Sequence, residues 1–231
     1  MGVAVARALA REGVDLAMAF RQSRIEAERA VTVAHEAGRQ AAAFEADVRE
    51  PAACARVVNA VVERFGRLDI LINMASVYQA KRFDDLTVED WDRQLDVDLR
   101  ATWLCARAAV PHMRRTGGGR IVNVADWTAP SGRPRYREYL PYYVAKAGVV
   151  ALTEGLALEL ARDQILVNAI APGPILAPGD MSETQRTAVE RATPLGRWGG
   201  GEEFATLVLF LVTTDFVPGE TIRLDGGRHL R

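Results

Sequence analysis

Apolar and polar residues fall into two periods along this chain, one helical and one strand-like, and the two take turns almost from end to end. Residues 2–12 carry an apolar stripe at helical spacing, stopped by Gly13, and 14–20 form an apolar strand. Residues 23–38 read as a helix, with Ser23 and Glu26 as a capping box and Gly38 as its stop. A strand over 40–47 ends at Asp47, and a helix over 50–66 ends at Gly66. The run LDILINMA, 68–75, is continuously apolar, as in a strand buried on both faces. A helix from Thr87 to Arg115 comes next, broken by the glycines at 117–119. Strand 120–126, helix 139–162 and strands 165–172 and 220–227, with helices between the last two, complete the series. This alternation predicts parallel strands joined by right-handed helical crossovers, a doubly wound α/β sandwich. Ligands of such sheets bind beyond the carboxyl ends of the strands, so residues there are the first candidates for chemistry.

The strongest chemical signal is YYVAK, with Tyr142 and Lys146 four residues apart on a predicted helix and so on one face of it. A neutral phenol, pKa near ~10, is a poor proton donor or acceptor at neutral pH. A cation beside it favours the phenolate and lowers that pKa, which would let the phenol shuttle protons. The helix follows a strand ending IVNVAD and precedes one ending NAIAPG, which places it at the carboxyl edge of the predicted sheet.

Composition narrows the class. Lys plus Arg is 29 and Asp plus Glu is 30, a net charge of −1 that argues against a nucleic-acid footprint or a membrane-surface role. Cys54 and Cys105 have neither CxxC spacing nor nearby histidines and read as reduced, buried small hydrophobes of a cytoplasmic protein. No apolar run reaches the ~18 residues of a membrane span. The first residues do not have the pattern of a signal peptide. His35, His112 and His229 show no metal-ligand spacing, and no metal is expected.

DILINMAS, YYVAK, VNAIAPGPI and LDGGRHL, in that order, resemble the strand end, catalytic helix, Pro-Gly loop and C-terminus of the short-chain dehydrogenase/reductase family. The resemblance runs nearly end to end. It implies a single Rossmann-type domain, a three-layer α/β/α sandwich, that transfers a hydride between NAD(P)H and a C=O or C=N bond of a small-molecule substrate. It also implies that Tyr142 is the proton donor and that Lys146 binds the nicotinamide ribose. By the same resemblance Pro172, Gly173 and Ile175 lie by the nicotinamide, Asp47 and Val48 hold the adenine, and Asn73 and Ala75 line the next strand end. Asp47 could equally be a plain helix cap. Gly2 aligns with the last glycine of the family's pyrophosphate-binding turn, and the family's first strand is absent from the sequence. The expectation is a start misplaced by about 10–20 residues, the length of that strand and turn; the alternative is a short form that is unstable or does not bind cofactor. A homodimer or homotetramer through helices 87–115 and 139–162 is also implied.

The strand before Arg21 ends without the carboxylate that NAD-preferring members carry. Arg21 and Ser23, with Arg24 beside them, favour the 2′-phosphate of NADP(H) over NAD(H). Asp126 stands where the family has its catalytic Ser, with Thr128 or Ser131 as alternatives for that role. Asp98 replaces the Asn that holds a relay water near Lys146, and Met74 and Ser76 replace an Asn and a Gly. The Asp at the Ser position resembles the pteridine reductase branch, in which Tyr78, Trp127 and Trp198 could stack on a flat heterocycle. The basic loop 131–139 is expected at the site mouth and the segment 174–193 as a substrate lid. The expected function is an NADPH-dependent reductase of a pterin-like heterocycle or of a small ketone such as a 3-oxoacyl thioester. The alternative is a non-catalytic nucleotide-binding or subunit-interaction protein.

Overall fold

In the computed structural model, which describes residues 1–131 and 136–230, every paired strand runs parallel to its neighbour. β1 (Leu16–Phe20) pairs with β2 (Ala41–Glu45), with Leu16 opposite Ala41. A second ladder runs β3 (Ile70–Asn73), β4 (Gly119–Val124), β5 (Ile165–Pro172) and β6 (Thr221–Leu224). β1 and β3 are not hydrogen-bonded to each other, so the sheet is split into ladders of two and four strands.

Side chains alternate across the strands and so feed two helical layers. Val122 and Val124 face a core built with α1 (Gly2–Arg11), α2 (Arg24–Glu36) and α8 (Gly201–Thr213), through residues such as Leu9, Ala30 and Phe204. That core also takes Leu16 from the first ladder and Ile70 and Ile72 from the second, so one apolar layer spans both. Ile121, Ile165 and Val167 face α5 (Ala101–Arg115) and α6 (Leu140–Leu160) on the other side, where Met113 and Leu160 are buried. α3 (Pro51–Phe65) closes this layer by packing Cys54 against Leu104 and Cys105 of α5. The two thiols are free and buried, with their sulfurs 3.7 Å apart. Each fully buried aliphatic or aromatic side chain here contributes roughly 1.5–3 kcal/mol. The result is the three-layer sandwich the alternation implied. Among the described residues no helix is long and apolar enough to cross a membrane.

Three local expectations are corrected. β3 is only half-buried at every position, because it is an edge of its ladder and its outer side carries no strand. The helix expected over 87–115 is three pieces: α4 (Val88–Leu95), a π turn (Asp96–Arg100), and α5. Thr87 caps α4 in a box with Asp90. At α2 the box expected from Ser23 and Glu26 does not form: Ser23 is the N-cap residue, but its hydroxyl makes no capping bond. Gly66 ends α3 in the left-handed conformation, as its position predicts. α7 (Glu183–Ala192) lies in the segment expected as a lid and buries none of its residues. Of the basic loop 131–139, residues 132–135 lie outside the described residues.

Candidate active site

Within each ladder the strands point their carboxyl ends the same way, and the chemically distinctive side chains lie on the segments that follow those ends. Asp126 leaves the end of β4 into a tight turn, closed by the Ala129 N–H donating to the Asp126 carbonyl at 3.0 Å. One oxygen of its carboxylate accepts from the Thr128 N–H (2.9 Å) and hydroxyl (2.7 Å). The other accepts from the Tyr142 hydroxyl at 3.1 Å. Asp126 is therefore both a turn residue and the partner of the phenol. Thr128 gives its hydroxyl to Asp126, and the Ser131 hydroxyl donates to the Thr128 carbonyl at 2.6 Å. Asp126 and Tyr142 are 6% and 8% exposed, so both are titratable groups taken out of water.

Tyr142 and Lys146 share one face of α6, with the ammonium 5.7 Å from the centre of the phenol ring. That ammonium is already engaged. It donates to the Val124 carbonyl at 2.8 Å and stands 3.0 Å from Asp98. Asp98, on the π turn, is 1% exposed, and its carboxylate also accepts from the Ser76 hydroxyl, the Val77 N–H (3.0 Å) and Gln94 (2.6 Å). Asp98 thus grips Lys146 directly. This overturns the expected electrostatics. Burial pushes the Tyr142 hydroxyl well above its ordinary pKa, and the charges of Asp126 and Asp98 push it further in the same direction. An ammonium matched by its own carboxylate has little left with which to lower a neighbouring phenol. Burial also raises the Asp126 carboxyl, opposed by its bonds to Thr128 and Tyr142 and by the charge of Lys146.

The residues expected along the cofactor separate into those on the crevice and those spent elsewhere. Arg21 follows β1 and is partly exposed, 3.6 Å from Asp47. Ser23 sits at the uncapped start of α2, whose first-turn N–H groups and positive dipole end are open to an acceptor. Arg24 is paired with Glu45 and lies over the Phe20 ring. Asp47 binds Arg49 through both oxygens, and that bond holds its carboxyl low, at about 2. It is not the cap of α3, which is Glu50. The Val48 carbonyl accepts from the Cys54 thiol, and Asn73 donates across the ladder to Asn123 at 2.9 Å. Ala75 and Ser76 are exposed beyond the end of β3. Gly2 opens α1, and Met1 before it supplies no side-chain cap. The Trp127 N–H donates to the Pro172 carbonyl. Gly173 donates to the Leu224 carbonyl at 2.9 Å, and a Cβ there would stand 2.7–2.8 Å from Cβ and Cα of Asp225. Ile175, expected beside the nicotinamide, buries its side chain in the core with residues of α8.

The structure adds two residues that the sequence reading passed over. Tyr136 and Tyr139 join Tyr78, Trp127 and Tyr142 in one group of rings. Their signal was the spacing Tyr136, Tyr139, Tyr142, which the basic character of the loop obscured. Among the described residues Trp198 makes no ring contact with this group.

A family profile described as Enoyl-(Acyl carrier protein) reductase matches residues 1–229. The chain belongs to the short-chain dehydrogenase/reductase family. It is 38% identical over 191 residues to (2S)-[(R)-hydroxy(phenyl)methyl]succinyl-CoA dehydrogenase subunit BbsD of Thauera aromatica, covering 80% of this chain and 75% of that one. It is 30% identical over 234 residues to the 3-oxoacyl-[acyl-carrier-protein] reductase FabG of Staphylococcus aureus, covering 100% and 94%. Among solved structures, the short-chain dehydrogenase/reductase from Serratia marcescens BCRC 10948 superimposes with a TM-score of 0.90 at 31% identity, covering 98% of this chain and 92% of that one. Membership of this oxidoreductase family accounts for the sheet order, the crossover helices and the YYVAK helix together.

Proposed function

We propose that this short-chain dehydrogenase/reductase interconverts a carbonyl and the corresponding alcohol with NADP(H), using Tyr142 as the proton donor. The observation that carries the reading is the buried hydrogen bond from the Tyr142 hydroxyl to Asp126, with Lys146 one helical turn away. The relatives support the substrate chemistry, since one is named for a 3-oxoacyl-[acyl-carrier-protein] and the other for a hydroxy(phenyl)methyl succinyl-CoA.

The residues present fit a dinucleotide at both its ends. The open start of α2 with Ser23 and Arg21 suits a 2′-phosphate, and no carboxylate of β1's end repels one. Lys146 has used two of its three N–H donors, which leaves one for a ribose hydroxyl. Gly173 has no room for a Cβ beside Asp225, so the loop after β5 can approach the end of β6 closely only with glycine there. The first-turn N–H groups of α1 at Gly2 are the donors available to a pyrophosphate. The dinucleotide supplies the hydride. The chain's own residues hold the substrate oxygen against the Tyr142 hydroxyl, which gives up its proton as negative charge develops on that oxygen. Burial and the charges of two carboxylates keep the phenol protonated and make it a weaker acid than a free phenol, so its proton leaves only as negative charge grows on the substrate oxygen. Asp126 accepts the Tyr142 hydrogen bond; once it takes up a proton, which burial favours, it can pass that proton to the phenolate left on Tyr142.

A pterin substrate is the second reading, favoured by the carboxyl beside the phenol, which suits protonation of a ring nitrogen. A second copy of the chain is expected to pack on α5 and α6, where Trp103 and Leu158 are exposed. The free thiols are compatible with the cytoplasm. The test is steady-state oxidation of NADPH with acetoacetyl thioesters and dihydrobiopterin in parallel, on the native protein and on Tyr142→Phe. Turnover of a thioester that falls about 10²–10⁴-fold in the variant supports the proposal. Full turnover by Tyr142→Phe overturns the mechanism, and turnover of the pterin alone replaces the substrate.

A further inference from the structure

Four of the chain's five tyrosines lie in one cluster, together with one of its four tryptophans. They come from three separate places in the sequence: the segment after β3, the turn after β4 and the approach to α6. Tyr78 stacks on Tyr139 with ring centres 4.4 Å apart and planes 20° from parallel. It also sets its ring at 78° to the Tyr142 ring, 5.0 Å away. Tyr136 stands 5.8 Å from Tyr139 and 6.0 Å from Trp127. The stacked pair sits at the short end, and the others within, the ~4.5–7 Å range in which aromatic pairs attract beyond simple burial.

Exposure is graded across the group. Tyr142 and Trp127 are buried, whereas Tyr78 is 53% exposed even though it stacks on Tyr139. A large apolar ring held beside the reacting hydroxyl with half its surface in water is stabilised further by another flat apolar group laid against it. Away from the phenol hydroxyls, the polar groups of the wall are engaged. The Trp127 indole N–H donates to the Tyr136 hydroxyl, and the Thr128 hydroxyl and N–H donate to Asp126. What the ring faces offer is apolar contact, which a hydrocarbon ring accepts without leaving polar groups of its own unpaired.

We infer that the site is specific for an aryl substrate, one whose aromatic ring is joined directly to the reacting carbon, with Tyr78 and Tyr139 as the residues that select it. The inference rests on the proposed carbonyl chemistry at Tyr142 and names its substrate class. A carbonyl oxygen hydrogen-bonded to Tyr142 puts a ring on the adjacent carbon within stacking reach of Tyr78, and a longer spacer would carry it past. In the reaction the carbonyl carbon gains a hydride from NADPH, the oxygen gains the Tyr142 proton, and NADP⁺ and the benzylic alcohol leave.

The test compares ethyl benzoylacetate with its cyclohexyl counterpart, which has the same reacting group and a similar bulk without the aromatic face. Both kcat/KM and Kd, the latter by calorimetric titration of the NADPH-loaded protein, are measured on the native chain, Tyr78→Leu and Tyr139→Leu. The expected preference for the phenyl compound is roughly 3- to 10-fold in both constants, the size of one or two ring contacts. It should collapse to about 1 in Tyr78→Leu, whatever the absolute rates do, and shrink in Tyr139→Leu. Equal constants for the two compounds on the native protein overturn the inference, as does an undiminished preference in both variants. Ring-selective binding without turnover upholds the aryl site while refuting the carbonyl chemistry, and turnover without ring selectivity does the reverse.

Discussion

At the scale of single residues the site is governed by two carboxylates. Asp98 pairs with the charge of Lys146, and Asp126 accepts the hydrogen bond of Tyr142. Asp126 makes the sharper prediction, because its carboxyl is raised by burial. Its protonated form is the one the folded protein favours. The stability associated with that form is fully present below the unfolded pKa, ~3.9, and is lost as pH rises through the higher folded value. Asp126→Asn keeps the shape and the acceptor for Thr128 but cannot release a proton. Its melting temperature should therefore fall less between pH 4 and 8 than that of the native protein. Its reductive kcat should drop by about 10²-fold or more and lose the decline at rising pH that is expected of the native enzyme. Parallel thermal melts and pH–rate profiles measure both effects. The sequence named Tyr142, Lys146, Asp126 and Asp98 as candidates, and the structure brings the four together. The sequence could not display that Asp98 neutralises Lys146, because the sign of a pKa shift depends on distances between elements far apart in the chain.

At the scale of elements, strands and helices were legible from periodicity because each buries one stripe or one face. The exceptions have physical causes. The π turn at 96–100 is invisible in DVDLR, a sequence any helix accepts, yet it carries the inward-facing Asp98. The capping box at Ser23 had the right letters, but the hydroxyl does not reach the helix amides. Ile175 sits in a matching motif with its side chain packed into the core; the motif fixes the order of residues and leaves the direction of each side chain to tertiary packing. The turn after β5 offers a test. Gly173 lies so close to Asp225 that Gly173→Ala forces β5 and β6 apart at their ends. A cost of about 1–3 kcal/mol is expected from overpacking against backbone. For a chain of this size that is a fall in Tm of roughly 2–4 °C per kcal/mol, read by calorimetry. NADPH affinity should weaken with it.

At the scale of the whole molecule, the two ladders are joined by helices and by a shared apolar layer, not by backbone hydrogen bonds. Amide hydrogen exchange should reflect this. β4 and β5, paired on both sides within their ladder, should exchange slowest, and β1 and β2 should open at a lower free energy. Uniform protection across all six strands would contradict it. The residues proposed for the two ends of the dinucleotide lie on different ladders: Arg21 and Ser23 beside β1, Tyr142, Lys146 and Gly173 beside β4 and β5. A ligand lying across the seam is then a tie-beam between two plates. Part of its affinity is spent on keeping the plates in line, and β1 and β2 should feel its arrival more than the strands that do the chemistry.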